Sequence, residues 1–307
     1  MLRAAVVAGI LLLSVAPATS DVQAYARPVI VTPTTPAAAA SAAQVFINAA
    51  NRLVATSPLT LTATIGQLVA ASGGSAGVTL IELGGGAPLT WSFDGTDVFT
   101  AASTYKLVAL MMEADKVATG GSNPNGLVCY QDSDYEDGWY DDYQDGACYT
   151  RLELAQRAGL HSDNTAGHML VRDLGGAGAL NAWAAAAGAT DSVFYTDNTT
   201  TARDLAALWS AEAKGRLGGT AAQAWLYPLL VGTSTEAGIP AGVAARSTVV
   251  HKTGTIDMVE NDAGLVLNGP NGAYVLTVMT NDLGGAAGWQ LIASISAAVW
   301  SFEQARA

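Results

Sequence analysis

The chain has 307 residues, half of them hydrophobic and only 13% charged, with a formal net charge of −12 at pH 7. That balance excludes a disordered chain, which needs low hydrophobicity and dense charge. Fourteen scattered Lys and Arg leave no basic stripe to neutralise phosphates, so no nucleic-acid partner is expected.

Residues 1–26 read as a signal peptide. Arg3 forms a short positive start, and residues 4–16 are an apolar run too short to cross a ~30 Å hydrocarbon core comfortably. Small residues follow at Ala16-Pro17-Ala18 and Ala24-Tyr25-Ala26, in the spacing a signal peptidase accepts. No later apolar run is long enough to be a span. The expectation is a secreted or cell-envelope protein with no membrane span after cleavage. Export makes Cys129 and Cys148, the only cysteines, readable as a disulfide. Two thiols are too few for a structural zinc site.

Residues 27–58 come next. Three prolines with Thr and Ala over 27–43 suggest an extended tether, and 44–55 a possible helix. From 59 to 307 the pattern is that of one α/β domain. Residues 65–71 look helical and stop at Gly73-Gly74. Residues 78–83 and 88–93 read as strands about the turn Gly84-Gly85-Gly86. A helix begins near Ser103. Thr150 with Glu153 is a capping box that opens a helix to about Gly159. Helices are expected over 165–174, 177–187 and 201–213, strands over 249–251, 263–267 and 274–280, and a last helix over 288–303. Strands at both ends around a helical block suggest one sheet completed by the two halves of the chain.

Three short motifs carry chemistry. In Ser103-Thr104-Tyr105-Lys106 a serine precedes a lysine by three at a helix start, which puts both on one helical face. A nearby amine of lowered pKa can take the hydroxyl proton, and the helix N-terminus favours developing negative charge. Alone, S-x-x-K is common; here only four lysines exist in the whole chain. Ser162-Asp163-Asn164 could pass a proton and grip a substrate amide, although these residue types equally suit a turn or an N-cap. Lys252-Thr253-Gly254-Thr255 follows the apolar pair Val249-Val250. On a strand beside a pocket, its Lys and Thr would meet a carboxylate and its Gly would let a substrate backbone approach.

The order S-x-x-K, S-D-N, K-T-G resembles the class A β-lactamases and penicillin-binding proteins, over roughly four-fifths of the chain. The resemblance implies an α+β fold of the β-lactamase/transpeptidase type, with a five-stranded antiparallel sheet, flanking helices and a mainly helical subdomain. It implies that Ser103 is acylated and Lys106 is its base, with Ser162 and Lys252 protonating the leaving nitrogen. Asn164 would orient the substrate amide, Thr253 and Thr255 would hold its carboxylate, and the N–H groups of Ser103 and Thr255 would form an oxyanion hole. Substrates would be β-lactams or peptidoglycan-like D-Ala-D-Ala peptides, acting on a monomer with no metal or cofactor.

One departure stands out. Active class A enzymes carry E-x-x-L-N between S-D-N and K-T-G, and its Glu activates the deacylating water. Residues 190–201 contain no Glu, and the S-D-N to K-T-G separation is about a dozen residues short. Asp191 and Asp197 stand near but suit a turn and an N-cap region better. Acylation with slow release is therefore expected; an efficient β-lactamase with another base and a cell-envelope binding module without turnover are the alternatives. The segment between the cysteines holds seven of the 26 acids, interleaved with Tyr and Trp. Asp132-x-Asp134-x-Glu136 begins like a calcium loop, but glycine falls seventh rather than sixth and no Glu stands twelfth. A solvated, disulfide-tied lip is preferred over a calcium loop or a partner surface.

Overall fold

The computed structural model describes residues 36–307, so the expected signal segment and the first part of the tether lie outside the described residues. Contacts divide the chain after Asn48, and the unit from Ala49 to Ala307 holds the domain. Helix α1 (Pro36–Ala55) extends the helix expected at 44–55 backward into the tether. Pro36 sits where a helix tolerates proline, and the alanines after it are the best helix formers. Among the described residues no single helix is long and apolar enough to cross a membrane.

After α2 (Pro58–Ser72), strands β1 (Ser75–Glu82) and β2 (Thr90–Phe93) form a hairpin. A two-residue strand β3 (Phe99–Thr100) leads into α3 (Tyr105–Ala118), the central helix. Short strands β4 (Leu127–Cys129) and β5 (Cys148–Thr150) bracket the acidic segment and pair so that Cys129 faces Cys148 in a disulfide. Helices α4 (Arg151–Leu160), α5 (Asn164–Asp173) and α6 (Gly176–Ala187) follow. Strand β6 (Thr199–Thr200) pairs with β3, and α7 (Ala202–Ala213) and α8 (Gly219–Leu226) complete the helical part. The chain closes with β7 (Val249–Ile256), β8 (Val259–Val266), β9 (Tyr274–Asn281) and α9 (Ala286–Arg306).

The main sheet is five-stranded and antiparallel in the order β2-β1-β9-β8-β7, so the expectation of one sheet built from both halves holds. Side-chain alternation sorts its residues onto two cores. Leu276 and Val278 of β9 join Ile65 of α2 and Ile292, Ile295 and Val299 of α9 on one face. Val275 and Met279 face the other way, toward α7 and the helical core around Leu107, Leu110 and Trp209. Because both faces are covered, β8 is buried along its whole length. Its polar residues are therefore paired, as buried polar groups must be. Arg306 ties α9 back to β1 through Glu82, with Nε–Oε1 at 2.6 Å.

Sequence reading missed α8 and the strand pairs β4–β5 and β3–β6, whose strands are too short for an alternating pattern to register. The strand expected at 249–251 runs on to Ile256, through Lys252, Thr253 and Gly254.

Candidate active site

A cleft of about 300 Å³ opens between the end of β7, the start of α3 and the N-terminus of α5. Ser103 lies in the single 3₁₀ turn Ala102–Thr104 just before α3. Ala102 takes φ +48° there, a left-handed conformation that costs a residue with a Cβ. Asn198 secures it: its carbonyl accepts from the Ala101 N–H at 2.7 Å, and its Nδ2 donates to the Ala102 carbonyl at 3.1 Å. Asn261 on β8 supports the same segment by donating to Thr100 O at 2.8 Å.

Lys106 follows one turn on, wholly buried. Its Nζ donates to Ser162 O and to Asn164 Oδ1, both at 2.6 Å, and lies 3.0 Å from Ser103 Oγ. A neutral amine has two N–H donors, and two acceptor-only oxygens engage both. Its lone pair is then left to face the Ser103 hydroxyl. Burial pulls the Lys106 pKa down to about 8, opposed by the charges of Asp163 and Glu136. The amine needs room on α5, which Gly167 provides: a Cβ there would come within 2.8 Å of Lys106 Cε.

Ser162 sits at φ +58° in the turn before α5, so S-D-N is both a turn and part of the cleft. Asp163 caps α5 by accepting from Ala166 N at 2.8 Å. Its carboxylate, 1% exposed, also accepts from Trp139 N, Tyr140 N and Tyr143 OH of the acidic segment. Lys252 Nζ reaches Ser162 Oγ at 2.8 Å and Thr253 O at 2.8 Å. Burial, with the Lys106 charge behind it, holds the Lys252 pKa well below the ordinary lysine range. Gly254 is required by close approach, since a Cβ would lie 2.8 Å from Ala101 O and 3.0 Å from Ser103 N. Thr255 lines the cleft, but its hydroxyl donates to Glu260 Oε2 at 2.6 Å. Thr253 is nearly buried. Behind the strand, buried His251 meets Asp262 at 2.8 Å and Glu236 at 3.1 Å.

Ser103, Lys106, Ser162, Asn164, Lys252 and Thr255 thus converge on one cleft from three separate stretches of sequence. The arrangement can deprotonate a serine at one end and deliver a proton through a second serine at the other. Sequence reading missed Glu136, His168 and Tyr195, which line the same cleft. No spacing signalled them, because Glu136 arrives on a long loop, Tyr195 on the turn between α6 and β6, and His168 from one turn along α5.

The acidic segment is a disulfide-tied lip exposed along most of its length, as expected, but several of its acids are ion-paired. Asp134 is buried against Arg172 at 2.8 Å, Asp142 pairs with Arg157, and Glu136 pairs with His168. The Arg157 guanidinium also lies 4.2 Å from the Tyr140 ring centroid and 4.5 Å from that of Tyr149. Among the described residues no group of three or more His, Cys, Asp or Glu could hold a metal ion.

Fold and site together define a serine hydrolase of the β-lactamase type. The chain belongs to the beta-lactamase enzyme family, whose model matches residues 60–302. Similar solved structures include a PBP-A mutant in acyl-enzyme complex with penicillin G. It is 30% identical with a TM-score of 0.73, covering 79% of this chain and 95% of that one. Unmodified PBP-A is 31% identical with a TM-score of 0.72, covering 78% and 94%. A beta-lactamase from Sphaerobacter thermophilus DSM 20745 is 26% identical with a TM-score of 0.69, covering 77% and 95%. No curated protein sequence matches the chain.

Proposed function

We propose that this chain is an exported, monomeric serine enzyme, acylated on Ser103 by β-lactams or D-Ala-D-Ala-type peptides and slow to release the acyl group. The observation that carries the reading is the buried Lys106 amine, 3.0 Å from Ser103 Oγ and held besides by Ser162 O and Asn164 Oδ1, which can only accept. Lys106 takes the hydroxyl proton as Oγ bonds to the substrate carbonyl carbon. The C–N bond then breaks, and the nitrogen takes a proton from Ser162, which Lys252 replenishes. The Ser103 and Thr255 N–H groups stabilise the oxyanion, an interaction worth about 10²–10³ in rate per donor. Asn164 orients the substrate amide, and Thr253 and Gly254 lie along its backbone and carboxylate.

Slow release rests on residues 190–201, which supply no Glu. Asp191 is exposed and paired with Arg203 at 2.6 Å, and Asp197 is exposed. Export rests on residues 1–26, with their positive start, short apolar run and small-residue cleavage spacing.

Labelling with a fluorescent penicillin, followed by intact mass, is expected to give one adduct per chain that Ser103→Ala abolishes. Failure of the unaltered chain to form an adduct would leave a binding module instead. Turnover of a chromogenic cephalosporin above about 1 s⁻¹ would overturn slow release. Mass analysis of secreted protein is expected to find residues 1–26 removed.

A further inference from the structure

The cleft contains a carboxylate that the steps above do not use. Among the described residues Glu136 is the one carboxylate that lines the cleft with Ser103. Its backbone is docked on α5 through Thr165: the Glu136 N–H donates to Thr165 Oγ1 at 3.1 Å, and that hydroxyl donates to Glu136 O at 2.8 Å. The next carbonyl, Asp137 O, accepts from Asn164 Nδ2 at 2.7 Å. The side chain is oriented by His168, with Nε2 2.9 Å from Glu136 Oε2. His168 in turn packs edge-to-face on Tyr195 at 5.2 Å, and Tyr195 on Tyr105 at 5.5 Å, which walls that side of the cleft. Glu136 is close enough for its charge to act on both Lys106 and Tyr105. It is also 53% exposed, so water reaches it directly.

We propose that Glu136, carried by the disulfide-tied acidic segment, is the general base that activates the water releasing the acyl group from Ser103. The inference rests on the acyl-serine reading above. In the step, the carboxylate takes a proton from water while the water oxygen bonds to the ester carbonyl carbon. The carbonyl–Oγ bond then breaks, the proton returns to Ser103 Oγ, and a free carboxylic acid leaves. No oxidant, reductant or metal is required. A half-exposed carboxylate shared with an imidazole is a poorly insulated base, which fits slow release.

The test is an intact-mass time course after a pulse of penicillin G on the unaltered chain, Glu136→Gln and Glu136→Asp. All three chains are expected to acylate, since Lys106 rather than Glu136 takes the Ser103 proton, and lifetimes are compared from full labelling. The adduct lifetime should lengthen at least tenfold in Glu136→Gln and less in Glu136→Asp, which keeps a carboxylate. Thermal melts check folding, and Glu136 is held by its backbone, so Gln is tolerated. An unchanged lifetime in Glu136→Gln overturns the proposal. So does a loss confined to acylation, which would make Glu136 a substrate-binding group, and so does an unaltered chain whose adduct never decays. Absence of any adduct on the unaltered chain instead overturns the acyl-serine reading on which the proposal stands.

Discussion

Lys106 gives a direct handle on the site. Only its neutral form can accept the Ser103 proton, and burial sets its pKa at about 8, below the ordinary 10.5. At pH 7 roughly a tenth of the molecules then carry the neutral amine. The acylation rate with penicillin G should rise close to tenfold per pH unit below 8 and level off above it. Stopped-flow acylation between pH 6 and 9 measures this, and a flat profile would remove Lys106 as the base. The residues that the structure brings together around Ser103 were legible in the sequence, because S-x-x-K, S-D-N and K-T-G are each contiguous. What encloses them was not. Asn198 and Glu136 act through tertiary contacts, which leave no local pattern, and the Thr255 hydroxyl turns to Glu260 for a reason visible only across the β7–β8 register.

At the scale of elements, long patterned segments were readable and short ones were not. Helices α5, α6 and α7 fall within a residue or two of the expected limits. Thr150 does cap α4, accepting from Glu153 N at 3.1 Å, but the Glu153 carboxylate turns to Arg157 rather than completing the capping box. The acidic segment is solvated as its charge density suggests, apart from buried Asp134, but charge density hides which acids are paired; Arg157 and Arg172 come from helices beyond it. Replacing Cys129 and Cys148 by Ser opens a loop with a sequence separation of 19. Loops of that length typically contribute about 3 kcal/mol, so urea unfolding should show a loss of that order or somewhat less, given the hold of Asp163 and the arginines. Acylation should slow if the segment shapes the cleft, and an unchanged rate would deny it that role.

For the whole molecule, the two cores divide the work. The face of the sheet under α2 and α9 is remote from Ser103, so Ile292→Ala should cost about 2–5 kcal/mol in urea unfolding. Acylation of the folded fraction should stay near the unaltered rate. A comparable loss of acylation in fully folded protein would mean that the outer core positions the cleft. The sheet could be anticipated from where the strands fell in the chain. Its order needed the structure, because pairing partners are set by burial on both faces rather than by sequence neighbours.

That order also bears on synthesis. Strand β1 has only β2 beside it until β9 exists, and Thr79 pairs with Thr277, 198 residues later. Such distant pairing is slow and cannot begin before the late strands leave the ribosome. The growing chain therefore has no finished sheet until its last strands are made. For a chain exported as proposed above, a central seam sewn last would leave it open for passage.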